Sequence, residues 1–327
     1  MNIDPPEKNS GEVALADWLE LVATLSGDRA ANLDLIADAA DIAEDTEIDD
    51  IADDDAANEA LIEAVTEEIR RRARVLHEAA YPFRMSANGE VLHLKNDLTY
   101  GQEAYLACLV INHSWTSGKL LAPTKLTDAE AREARNHFEI LTAVAAIGIA
   151  NGPAFLLGTN RRGAAGLLQR VSEICAHVGE GRARAALDPA APARANDDSV
   201  DVLAVETEND GPPHRSFWFC QSAAGANFDS KPIINEIEKF MEIWMEVRPA
   251  HTNGALFFPA IVDDNFLRYN TRRLGQMYHR LRLPLQAQRG FELLAADAAL
   301  LHYVDDVNAP KVWLSTYLAR AGRGVAL

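Results

Sequence analysis

The chain has 327 residues, 48% of them hydrophobic, and a net charge of −18. That length suits one large domain or two ordinary ones, and the apolar content is enough for a core, which excludes global disorder. The acidic balance argues against unspecific attraction to nucleic acid or anionic membrane, because affinity for phosphate rests on Lys and Arg. In chain order, residues 1–11 read as a loose tail without a basic-then-apolar leader. Val13 to Leu25, "VALADWLELVATL", has apolar residues at helical spacing. Residues 34–59 hold twelve acidic side chains and no basic one, so two thirds of the net charge sits on one stretch. The charge of the whole therefore says little about any face of the remainder. Leu35, Ile36, Ile42, Ile48 and Ile51 within it predict short acidic helices or a partly ordered insert.

Glu59 to Ala80 reads as a firmer helix, with acidic residues early and an Arg cluster late, and Pro82 stops it. "NGEVLHL" predicts a short strand after an Asn-Gly turn, and Tyr100–Ile111 an apolar helix. Thr127 is a good N-cap for the helix "DAEAREARNHFEILTAVAAIGIA". Ala154–Leu157 is strand or loop, and Gly163–Val178 a helix. A Pro/Ala/Asp-rich loop precedes the strands Val200–Val205 and Ser216–Gln221. A helix capped by Asp229 or Ser230 runs to about Val247 with Pro232 in its first turn, and "GALFFPAIV" is a third strand. From Asp263 on, the pattern is mostly helical, ending in a helix near 307–321. Cys108, Cys175 and Cys220 are too scattered for a disulfide framework or a metal knuckle, and read as buried thiols in a reducing compartment. No apolar run approaches the roughly 20 residues of a membrane helix. The expectation is a cytoplasmic protein with no membrane partner.

Three polar residues stand where structure alone does not ask for them. Glu139 lies within "HFEILTAVAAIGIA", Asp201 is enclosed by valines in "SVDVLAV", and Gln221 ends the strand "FWFCQ" on the face of Phe217 and Phe219. An unpaired polar group on an apolar face costs roughly 1–3 kcal/mol, so each predicts a partner, a metal or a ligand. Plain alternatives exist for all three: a turn or edge aspartate, a glutamine bonded to backbone, and a solvated helix glutamate. Asp198 and Glu206 are further candidates.

In the order "FEILTAVAAIGI", "DDSVDVLAV", "FWFCQSA", the region 127–262 resembles the PD-(D/E)XK nuclease superfamily, most closely Mrr-like restriction endonucleases. The resemblance implies an α/β restriction-endonuclease-like sandwich with a mixed central sheet over 127–262. A mostly helical N-terminal region, 1–126, precedes it, and a helical extension, 263–327, follows. It implies Mg²⁺ or Mn²⁺ held by Asp201 and Gln221 with Glu139 in support, and hydrolysis of DNA phosphodiesters in a restriction or phage-defence system. Carboxylate and amide oxygens are the donors such hard cations prefer. The lysine expected two residues after Gln221 is replaced by Ala223, and Lys231 is the nearest downstream candidate. Arg161 and Arg162, and Arg272 and Arg273, are candidate DNA contacts. His137 and His279 lack a partner at metal-ligand spacing. The competing expectation is a catalytically silent subunit that binds DNA or a helicase or ATPase partner; homo-oligomerisation stays open.

Overall fold

The computed structural model describes residues 3, 5–6, 11–37, 51–114, 120–121, 126–158, 163–193, 195, 197–207 and 215–322. The chain divides into two compact units, Met1–Ala131 with Lys311–Leu327, and Arg132–Pro310. No described helix is long and apolar enough to cross a membrane.

In the first unit, helix α1 (Gly11–Leu25) leads to strand β1 (Ala30–Asn32). Helix α2 (Ile51–Ala80) is broken near its end at His77, where φ is 52°. Strands β2 (Phe83–Met85) and β3 (Val91–Leu94) form a hairpin whose turn uses Gly89 at a φ of 79°. The Asn-Gly pair read from the sequence is thus a turn between two strands. Together the three strands make an antiparallel sheet in the order β1-β3-β2. Helix α3 (Tyr100–Ser114) follows.

What α1, α2 and α3 bury is not only apolar. Arg72 is fully buried, with Asp17, Glu20 and Glu68 oxygens 2.7, 3.0 and 2.8 Å from its guanidinium. The hydroxyls of Tyr81 and Tyr105 donate to Glu20 at 2.9 and 2.7 Å, and His113 Nε2 lies 2.6 Å from Asp17 Oδ2. Such a network fixes how three helices meet, because removing one member strands a buried charge.

The second unit is α/β with a mixed central sheet. Helix α4 (Asp128–Ala150) opens on a capping box: Thr127 N–H and Oγ1 donate to Glu130 at 2.8 and 2.9 Å, and Glu130 N–H donates back to Thr127 Oγ1 at 3.3 Å. Then come β4 (Ala154–Leu156), α5 (Gly163–Val178) and β5 (Arg182–Ala183). The hairpin strands β6 (Val202–Val205) and β7 (Ser216–Ser222) follow, then a 3₁₀ turn at Phe228–Ser230 and α6 (Ile233–Trp244). The rest of this unit is β8 (Met245–Val247), β9 (His251–Phe257), α7 (Asp264–Leu274), β10 (Gln276–Tyr278), α8 (Leu283–Ala296) and β11 (Leu301–His302), while α9 (Ala309–Gly322) lies almost wholly in the first.

The six-stranded sheet has the order β10-β9-β7-β6-β4-β11. Strands β4, β6 and β7 are antiparallel neighbours, while β9 and β10 add to β7, and β11 to β4, in parallel. One sheet face packs Leu203, Val205, Phe217 and Phe219 against Leu167, Val171 and Ile174 of α5 and Ile233, Ile237 and Phe240 of α6. Val202, Ala204, Cys220, Ala255 and Phe257 are also fully buried, so both faces are covered, as the apolar runs of β6, β7 and β9 require.

Three expectations differ from the structure, the first being the third strand, which runs His251–Phe257 and ends before "FPAIV". The helix after the hairpin stops at Trp244, because Met245–Val247 pairs with Arg182–Ala183 as an outlying two-stranded ribbon. Residues 263–310 are not a helical extension apart from the sheet. They supply both its edge strands, β10 and β11, and only the segment from Lys311 on belongs with the first unit. Of the acidic stretch, 38–50 lies outside the described residues.

Candidate active site

The hairpin puts polar atoms at one end of the β6–β7 pair. Asp198 and Ser199 have φ of 46° and 71°, a tight bend that delivers Asp201 to the mouth of β6. Asp201 N–H donates to Cys220 O at 3.0 Å, and Asp201 O accepts from Leu157 N–H at 2.8 Å. Val202 stands opposite Cys220, and Asp201 N–H bonds the carbonyl of that same Cys220, one step out of the β6–β7 register, so the end of β6 bulges there.

Gln221 is 7% exposed, and its Oε1 has no hydrogen-bond partner among the described residues. A buried acceptor left open costs free energy unless something fills it. Asp201 Oδ2 accepts from Ser222 N–H at 2.7 Å. Lys231, just ahead of α6, donates from Nζ to the Ser222 carbonyl at 3.3 Å. One residue therefore ties the aspartate to the ammonium: its N–H holds the carboxylate and its C=O holds the lysine. Burial pushes the Asp201 carboxyl up to about 7, and the charge of Asp197 adds to the rise. The Ser222 N–H and the Lys231 ammonium act the other way.

Ala223 explains its own identity. It is 1% exposed and packs with Leu256, Phe258, Leu267, Leu274 and Met277. A lysine there would start inside an apolar cluster, at the cost of burying a charge without a partner. The ammonium reaches the strand end from the following turn instead.

Glu139 comes from α4. A side-chain carbon at Gly158, just past β4, would lie 3.3 Å from Asp197 Oδ2 and 3.4 Å from Glu139 Oε2. The missing side chain thus leaves open the space these two carboxylates face. A cleft of about 580 Å³ opens beside them, lined by Arg132, Asn136, Glu139, Gly158 and Tyr303 among others. Buried Arg170 of α5 fixes the end of β4. Its Nη1 donates to the carbonyls of Leu156, at 3.2 Å, and Leu157, and its guanidinium lies 4.9 Å from the centre of the Tyr303 ring.

The structure thus gathers Asp201, Gln221 and Lys231 at one strand end, and sets Glu139 beside Asp197. The sequence did not single out Asp197, Gly158 or Arg170. Asp197 stood in a loop rich in turn formers, where an aspartate is ordinary. Its only signal is a spacing of four residues from Asp201. Asp198 is otherwise engaged: Trp244 Nε1 donates to it at 2.9 Å, and Lys239 Nζ lies 3.7 Å away. Glu206 lies beyond the opposite end of β6. His137 lies 3.8 Å from Glu133, and His279 stacks on Phe258. Arg161 and Arg162 lie outside the described residues, whereas Arg272 and Arg273 are exposed on α7.

Among the described residues, no three Asp, Glu, His or Cys side chains form a ready-made metal cage. The oxygens present are nonetheless of one kind. A carboxylate whose ionisation burial opposes, an open buried amide oxygen and two carboxylates facing one gap suit a hard divalent ion that keeps part of its water shell. Comparison with protein-family models, with curated proteins and with solved structures finds no match to this chain.

Proposed function

We propose that the chain is a metal-dependent deoxyribonuclease with a restriction-endonuclease-like core of the PD-(D/E)XK type. It would hydrolyse phosphodiesters in a restriction or phage-defence setting. The observation that carries the reading is the link Asp201–Ser222–Lys231, with the Lys231 ammonium reaching the strand end that Ala223 leaves without a charge. Asp201 and the open Gln221 Oε1 would hold Mg²⁺ or Mn²⁺, with Glu139 and Asp197 on its outer side. The ion supplies charge neutralisation at the phosphate and acidifies bound water. Lys231 orients the attacking water and offsets negative charge on the phosphate. The Ser222 N–H keeps one Asp201 oxygen fixed and leaves the other free to face the ligand. Arg170 holds the β4 end, and so the gap at Gly158, in place.

Mg²⁺-dependent nicking of supercoiled plasmid tests this, with the wild type, Asp201→Ala and Lys231→Ala side by side. Nicking by the wild type and a loss of at least about a hundredfold in both variants is the expected result, since each removes a charge used in the transition state. Nicking that survives Asp201→Ala refutes the site. DNA binding without nicking, in Mg²⁺ or Mn²⁺, identifies a silent subunit that delivers DNA to a helicase or ATPase partner.

A further inference from the structure

Helix α7 packs against the turn that delivers Lys231. Phe228, three residues before Lys231, lies face to face with Phe258 (4.2 Å between centroids) and edge-on to Phe266 of α7 (5.8 Å). Helix α7 buries Leu267, Asn270 and Leu274 and leaves Arg268, Tyr269, Arg272 and Arg273 exposed. Tyr269 is 87% exposed, the barest large apolar side chain among the described residues. Helix neighbours are three and four residues apart, so Arg272 and Arg273 border its ring, and Arg268 and Arg272 line up along one stripe.

This surface lacks a structural reason. The chain has 49 acidic residues against 31 basic ones, so carboxylates are abundant. Yet Arg268 and Arg272 have no ion-pair partner among the described residues, and Arg273 bonds only the amide oxygen of Asn270, at 2.9 Å. A bare aromatic ring among guanidinium groups that no carboxylate neutralises is what a polyanion with flat, stackable groups would use. Bases stack on exposed rings whatever their sequence, and arginines hold the phosphates between them. A base inside a duplex already has both faces covered, so only an unpaired base offers a free face to Tyr269.

We propose that α7 is a strand-binding wall of the site, on which Tyr269 stacks an unpaired base while Arg268, Arg272 and Arg273 hold the flanking phosphates. The preferred substrate is then single-stranded or locally unpaired nucleic acid. This rests on the nuclease reading and narrows it. The experiment is fluorescence anisotropy with the full chain and EDTA, using a labelled single strand and the matching duplex. The proteins are the wild type, Tyr269→Ala, Tyr269→Phe and the double variant Arg268→Ala/Arg272→Ala.

The wild type is expected to bind the single strand more tightly than the duplex. Tyr269→Ala should weaken single-strand binding about tenfold, and Tyr269→Phe should keep it. The double arginine variant should lower the slope of log affinity against log salt by about 1.4. Because these four side chains are exposed, the variants leave the core untouched. Unchanged single-strand affinity in Tyr269→Ala overturns the inference, as does a duplex preference insensitive to Tyr269. A wild type that still nicks plasmid in either case keeps the nuclease reading. Tyr269-dependent strand binding without nicking by the wild type keeps this inference and removes the nuclease.

Discussion

Asp201 sits under opposed forces, since burial and Asp197 resist its charge while the Ser222 N–H and Lys231 favour it. With a folded value of about 7 against about 3.9 in an unfolded chain, the folded state keeps a proton that the unfolded state has released. The stabilisation from this group is fully present below about pH 4 and is lost as pH rises through about 7. Asp201→Asn removes the titration and keeps an oxygen for the Ser222 N–H. At pH 8 it should be more stable than the wild type by on the order of 1–2 kcal/mol, with the gap closing toward pH 5. Denaturant unfolding at both pH values measures this, and a gap that ignores pH means Asp201 ionises as an ordinary carboxylate does. Nicking by the wild type should rise with pH up to about 7 for the same reason, because a cation must displace that proton before it binds.

Among the elements, α4 and α8 approach each other at two glycines. A side-chain carbon at Gly290 would lie 1.9 Å from the Val144 carbonyl oxygen, and one at Gly148 would lie 2.1 Å from that of Gln286. Both obstacles are backbone, so neither can rotate away. Alanine in a helix interior ordinarily gains up to about 1 kcal/mol over glycine. Here overlap should win, and Gly290→Ala should destabilise by about 1–3 kcal/mol in urea unfolding. A stabilised variant would mean that the helices part freely. Nicking should fall as well, because α4 also carries Glu139. No local pattern announced this crossing, which only the tertiary approach of two helices creates. The strands β10 and β11 escaped the sequence for a related reason. They span three and two residues and pair in parallel with strands distant in sequence, so alternation has no length in which to show. The hairpin was legible because Phe217, Phe219 and Gln221 alternate, and a polar residue on that face contradicts its surroundings. The same contradiction exposed Asp201. Asp197 contradicts nothing locally, and neither does Arg72, whose partners Asp17 and Glu20 come from another helix. Buried charge is visible in a sequence only when its own element is otherwise apolar.

On the scale of the whole molecule, a net charge of −18 opposes the approach of any polyanion, while α7 presents arginines to it. Seven acidic residues lie within 38–50. Deleting 38–50 removes their field and leaves every site residue in the chain. Repulsion between like-charged macromolecules acts mainly on the rate of encounter and is screened within about 10 Å at 0.1 M salt. The deletion should therefore raise the association rate with a DNA strand several-fold at low salt, leave dissociation nearly unchanged, and match the wild type near 0.5 M salt, where screening shortens to a few ångströms. Stopped-flow anisotropy at two salt concentrations separates the cases. A gain that persists at high salt would mean the segment blocks the site by contact. Equal rates at every salt would mean that the acidic stretch serves something other than nucleic acid, and that the arginines of α7 draw in the strand by their local field alone.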